Sequence, residues 1–155
     1  GAPLEVRLAR NIIKNIKAQI DEARKLNIPV IYVCDNHKND DPEFRIWPSH
    51  AVEGTRGAEV VDDIKPQKGD LIVYKKTYSG FFETELDDVL KKLGVEEVIL
   101  AGVVTNICVL YTAADAYMRG YTVTVFEDCV AGLDDNDHRF ALRQIKEVLK
   151  PRPRK

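Results

Sequence analysis

Apolar residues at Ile12, Ile13, Ile16, Ile20, Ala23 and Leu26 recur every third or fourth position, with Lys, Asn, Gln, Glu and Arg between them. That spacing places one apolar stripe on an amphipathic helix, predicted over Arg7 to Leu26 and stopped by Asn27 and Pro29. The period then changes. "IPVIYVC" is short, apolar and rich in β-branched residues, which predicts a strand buried on both faces. "DLIVYKK", "EEVILAG" and "YTVTVFED" are predicted as the second, third and fourth strands. Between them the helical period returns. Leu86, Val89, Leu90 and Leu93 share one face before Gly94, with Thr84 and Asp87 spaced as a capping box. Ile107 to Arg119 is predicted helical up to Gly120, and His138 to Leu149 forms the last helix. Asp35 to Lys68 has weak periodicity and many Pro, Gly and Asp, so it is predicted to be a long, loop-rich excursion of the kind that often carries function. "KPRPRK" at the end reads as a frayed basic tail.

Strands alternating with helices imply right-handed βαβ units and an α/β fold, three-layer α/β/α around a mostly parallel sheet of Rossmann-like order. With 155 residues, 45% of them hydrophobic, the chain is expected to be one domain over residues 1–155 with a substantial core. Its 23 Lys and Arg nearly balance 25 Asp and Glu, so net charge favours neither nucleic acid nor an anionic membrane as partner. A small molecule is the expected partner. Three cysteines at wide spacing, with no CxxC pair, fit a reduced, cytoplasmic protein better than a disulfide scaffold. No apolar run approaches the roughly 20 residues of a membrane span.

Ligands of such sheets collect at the carboxyl ends of the strands, and three groups of reactive side chains fall there. Cys108 follows the third strand by a short turn and enters the next helix. Unpaired N–H groups at a helix start can lower a thiol pKa and hold an oxyanion, although a buried cysteine also serves as a small hydrophobe. Lys75 and Lys76 end the second strand. Strand alternation points one of them inward toward the same mouth, and both could equally be solvated. Asp35 and His37, two positions apart at the first strand's end, can face one side, with His50 returning from the loop. Two imidazoles and a carboxylate suit zinc, iron or manganese with open positions left over. Phe44 and Trp47 beside them could wall a flat ring or plug the core under the loop.

Three motifs, "DNH" followed by "WPSHAVEGTRGAE", "YKKTYSGFFETEL" and "LAGVVTNICV", together give a specific pattern over Gly1 to Leu149. The chain resembles the isochorismatase-like cysteine hydrolases and, within them, is most similar to nicotinamidases. The resemblance implies Cys108 as nucleophile and Lys75 as its cationic partner. It also implies an oxyanion hole from the N–H groups of Val104 and Cys108 beside a cis bond joining Val103 and Val104. Asp35, His37 and His50 would be metal ligands, zinc being expected ahead of iron or manganese, and Trp47 and Tyr78 would line the substrate pocket. The implied reaction is cysteine-dependent amide hydrolysis through a thioester, nicotinamide giving nicotinate and ammonia. The implied partners are a small-molecule amide and further copies of the chain in a homo-oligomer.

Two features depart from that pattern. The family's third catalytic residue is an aspartate ending a first, central strand, which this sequence does not show, so an N-terminal segment is expected to be missing from the chain. The slot would lie between the first and third strands read here, and Asp128 is the other strand-end acid. Position 51 is Ala, where nicotinamidases usually carry Cys. The alternatives are a relative acting on another small amide, a ureido compound or isochorismate, and a non-catalytic binding domain.

Overall fold

The structure, a computed structural model, describes residues 4–150. The first three residues covered by the resemblance, and the expected basic tail beyond Lys150, lie outside the described residues. The elements are α1 (Ala9–Lys25), β1 (Ile31–Asp35), β2 (Leu71–Lys75), α2 (Leu86–Lys92), β3 (Glu97–Val103), α3 (Leu110–Met118), β4 (Thr122–Ala131) and α4 (Asp135–Glu147). The expected long excursion joins β1 to β2 and holds three short 3-10 turns, at Pro42–Arg45, Arg56–Ala58 and Asp62–Ile64.

The strands form two separate parallel pairs. β1 pairs with β2 in continuous register from Ile31 opposite Leu71 to Asp35 opposite Lys75. β3 pairs with β4 from Glu97 opposite Thr122 to Val103 opposite Ala131, with an irregularity between Leu100 and Gly102. Among the described residues no strand bonds join β1 to β3, which agrees with an open slot between them. A strand covered on both sides of a three-layer fold is normally apolar and buried throughout. Here Ile99 and Val103 on β3 remain 52% and 41% exposed.

Packing, not strand pairing, holds the two pairs together. On one face α1 sets Ile12 and Ile16 against Cys129 and Ala131 of β4. At its other end Arg24 reaches the first pair, its guanidinium donating to Asp70 at 2.5 Å and to the Tyr32 hydroxyl at 3.2 Å. On the opposite face Leu86 and Leu90 of α2, Ala113 and Ala116 of α3 and Ile145 of α4 share one cluster with Val73 of β2 and Val123 of β4. Each large side chain buried there contributes about 1.5–3 kcal/mol. The loop after β2 is drawn tightly onto this cluster at Gly80, where a Cβ would lie 3.0 Å from Val33 Cγ1 and 3.2 Å from Leu86 Cδ2.

The expected capping box does not form. Thr84 donates its hydroxyl to the Gly80 carbonyl at 2.5 Å and accepts from the Leu86 N–H at 3.3 Å. Asp87 is taken instead by Tyr121 and Lys91. Tertiary and same-face partners outcompete the local motif there. The last helix begins earlier than expected because Asp134 caps it, its carboxylate accepting from the N–H groups of Asn136 and Asp137 at 2.8 and 3.2 Å.

Candidate active site

The register of β1 and β2 places Asp35 directly across from Lys75. Lys75 is the inward member of its pair, 5% exposed, while Lys76 is exposed. Its ammonium has three N–H bonds to give, and three acceptors surround it: the Asp35 carboxylate, the Thr77 carbonyl at 2.8 Å and Cys108 Sγ at 3.5 Å. Burial alone would pull the Lys75 ammonium down, but Cys108 and Asp35 outweigh it and hold the group above its ordinary value. Lys75 stays charged.

Cys108 arrives from the other pair. β3 ends in a cis peptide bond between Val103 and Val104, as the resemblance implies. The chain then makes a single π-type turn, Thr105–Val109, in which the Val104 carbonyl accepts from the N–H groups of Ile107 and Val109. Cys108 therefore lies within this turn, just before α3 rather than in its first turn. Burial pushes the Cys108 thiol up, and Asp35 adds to that, against the pull of Lys75 and the Val104 N–H. The net shift is upward, opposite to the thiolate expected from a helix start. Desolvation is a tertiary effect and is the largest one here.

Asp35, His37 and His50 converge, their ligand atoms all lying within 4.8 Å of one another. His37 is fully buried and is held by backbone bonds to the returning loop, its N–H donating to the Ala51 carbonyl at 3.0 Å and its carbonyl accepting from Glu53 at 2.8 Å. Its Nδ1 donates to Asp41 Oδ2 at 3.2 Å, and its Nε2 has no partner at all. His50 Nδ1 donates to the Pro48 carbonyl at 2.8 Å, so its Nε2 carries the lone pair. An orphaned buried imidazole nitrogen beside a second imidazole and a carboxylate is the donor chemistry of a divalent metal site. Ligand atoms around zinc sit about 3–4 Å apart at bond lengths of about 2 Å, so these three need only a small inward adjustment. Glu43, half-buried, lies near enough to feel His37, Asp35 and His50, and burial pushes its carboxyl up.

Trp47 and Tyr78 meet, the indole N–H donating to the phenol oxygen at 3.0 Å. Tyr78 also stacks on Tyr111 of α3 at 5.7 Å between ring centroids. Its loop is fastened by Ser79, which donates to Asp115 at 2.5 Å, and by the Gly80 N–H, which donates to Thr112 at 2.9 Å. The sequence reading missed Asp41, Glu43, Tyr111 and Asp115. Only Asp41 carried a local signal, an acid before Pro-Glu at the start of a turn. The substitute acid, Asp128, is exposed on β4, its backbone carbonyl bonded to Asn15. Among the described residues the polar groups on Cys108 Sγ are the Lys75 ammonium and the Val104 N–H, and no carboxylate hydrogen-bonds it. The three cysteines are free thiols, and no described helix is long and apolar enough to cross a membrane.

The chain is similar to known proteins in sequence and in fold. The chain is 34% identical over 144 residues to nicotinamidase 3 of Arabidopsis thaliana, covering 89% of this chain and 73% of that one. The solved structure of N-carbamoylsarcosine amidase from Thermoplasma acidophilum is 40% identical, with a TM-score of 0.85 over 92% of this chain and 83% of that chain. The pyrazinamidase of Pyrococcus horikoshii, solved in complex with zinc, is 30% identical with a TM-score of 0.91, covering 97% and 89%. A family model for the isochorismatase domain matches residues 1–151, nearly the whole chain and every residue of the site described above. On that match and those likenesses, the chain belongs to the isochorismatase family of hydrolases.

Proposed function

We propose that this hydrolase cleaves a small planar carboxamide, nicotinamide first, using Cys108 as nucleophile. The observation that carries the proposal is the Lys75 ammonium, buried and shared between Asp35 and Cys108 Sγ. A buried cation at 3.5 Å from a thiol is placed to stabilise the thiolate as it forms, inside a site dry enough for the charge to matter. Cys108 Sγ bonds to the carboxamide carbon and the carbonyl oxygen takes up negative charge. The N–H groups of Val104 and Cys108 receive that oxyanion. The C–N bond then breaks, ammonia leaves with the added proton, and water releases the acid from the thioester. The thiol proton has to pass through a base, and Lys75, being charged, cannot accept it. By resemblance to the family an aspartate would be that base, and among the described residues no carboxylate hydrogen-bonds Cys108 Sγ.

Trp47 and Tyr78 supply flat aromatic surface for a ring-bearing amide. Asp35, His37 and His50 would hold a divalent ion, zinc by the chemistry of the donors, which would supply a Lewis-acid point for orienting the substrate or a water. A ureido or carbamoyl amide is the second reading. It is favoured by Ala51, which stands where nicotinamidases usually carry Cys, at a φ of 42° in the loop carrying His50. Ammonia release from nicotinamide and from an N-carbamoyl amino acid, measured side by side, separates the two. A preference of tenfold or more in kcat/KM for the carbamoyl compound would replace the first reading with the second.

A further inference from the structure

The geometry assigns Asp41 as the positioning residue of the metal site, a role that rests on the metal reading of Asp35, His37 and His50. One carboxylate does two things. Asp41 Oδ2 accepts from His37 Nδ1 at 3.2 Å, and Asp41 Oδ1 accepts from the Glu43 N–H at 2.9 Å, capping the Pro42–Arg45 turn. That turn carries Phe44, whose ring lies 5.4 Å from His37 and 5.7 Å from His50. The side chain is only 11% exposed, against a His37 that is fully buried.

The consequence follows from what a neutral imidazole can do. It has one N–H and one lone pair, and whichever nitrogen donates leaves the other free to ligate. The Asp41 carboxylate is acceptor-only, so it keeps the proton on Nδ1 and leaves the lone pair on the buried, unpartnered Nε2 of a residue that groups with Asp35 and His50. The same carboxylate fixes the turn whose phenyl ring packs against both imidazoles. Without it, the proton could move to Nε2 and erase a ligand while the fold stayed intact.

The test uses Asp41→Ser and Asp41→Asn in the full chain. Serine is a good helix cap but too short to reach His37. Asparagine keeps the size, and when its oxygen caps the turn it presents an NH2 to Nδ1, which selects the wrong tautomer. Zinc affinity is measured by competition with a chromophoric chelator, cobalt ligation by its visible spectrum, and apoprotein stability by thermal unfolding. Both variants should bind zinc about 10–100-fold more weakly and show an altered cobalt spectrum, with the apoprotein midpoint of Asp41→Ser close to that of the wild type. Wild-type zinc affinity and cobalt spectrum in both variants would overturn the inference, by showing Asp41 to be a turn cap only. If the wild type binds zinc no better than His37→Ala with His50→Ala, the metal reading fails and the role of Asp41 fails with it.

Discussion

The two strand pairs differ in what they bring and in how they are built. β1 and β2 are five residues each, in unbroken register, and end in a charge pair, Asp35 across from Lys75. β3 and β4 are longer, seven and ten residues, with a register irregularity, and end in the cis Val103–Val104 bond and the turn that carries Cys108. The first pair supplies the Lys75 cation and Asp35; the second leads into the turn that carries Cys108, the proposed nucleophile. Strand hydrogen bonds do not join them, so the chemistry meets across the slot through Lys75 and Cys108, and the packing meets through the helices on either face. The regular half sets charge where it is needed. The irregular half turns the backbone so that the Cys108 thiol meets that charge, with the Val104 N–H on its sulfur.

Breaking the contribution of the irregular half has the largest expected effect. Cys108→Ala should lower amide hydrolysis by roughly 10⁴-fold or more while leaving thermal stability near that of the parent, since the thiol contributes little packing. Removing the packing that spans both halves comes next. Leu90→Ala, at a site 4% exposed in the shared cluster, should cost about 2–5 kcal/mol by chemical denaturation. Because that cluster includes both Val73 and Val123, unfolding should remain a single transition. Separate transitions for the two pairs would show that the helices do not couple them.

The junction itself is probed by pH. Cys108 sits above the ordinary thiol value, so its rate of alkylation should climb with pH through an apparent pKa above that of a free cysteine. Lys75 pulls that value down, so Lys75→Met should move the profile further up and slow hydrolysis by about 10²-fold. An unmoved profile would remove Lys75 from the thiol's environment. Cys129, fully buried and pushed up to about 11, should react last.

The smallest effect expected belongs to the clamp between α1 and the first pair. The Arg24 hydrogen bond holds the Asp70 carboxyl below the usual carboxylate value. A carboxylate depressed on folding stabilises the protein above its unfolded pKa of about 3.9, and that stability is lost as pH falls through the lower folded value. Asp70→Asn should therefore cost about 1–3 kcal/mol at neutral pH and almost nothing at low pH, by denaturant titration at each pH.

Much of this was legible in the sequence because it is local. The apolar periods located the described strands and α-helices to within a few residues, and strand-end position brought forward Asp35, His37, Cys108 and the pair Lys75 and Lys76, of which the family resemblance picked Lys75. What was not legible depends on partners distant in the chain. Thr84 and Asp87 have the spacing of a capping box, yet their bonds go to Gly80 and Tyr121, which no local pattern reveals. The thiolate expected at Cys108 came from its place near a helix start. The opposite shift comes from burial, which is set by packing. Asp41 was passed over because its importance lies in being shared between a turn and His37.

The thiol delivered by the irregular half is proposed to do the chemistry beside the cation of the regular half. Acid-quenching the protein during turnover of nicotinamide and mapping its peptides by mass spectrometry tests this most directly. A nicotinoyl adduct is expected on the Cys108 peptide, appearing with ammonia release and absent from Cys108→Ala. Ammonia release by Cys108→Ala at the wild-type rate, or an adduct on Cys34 or Cys129 instead, would contradict it.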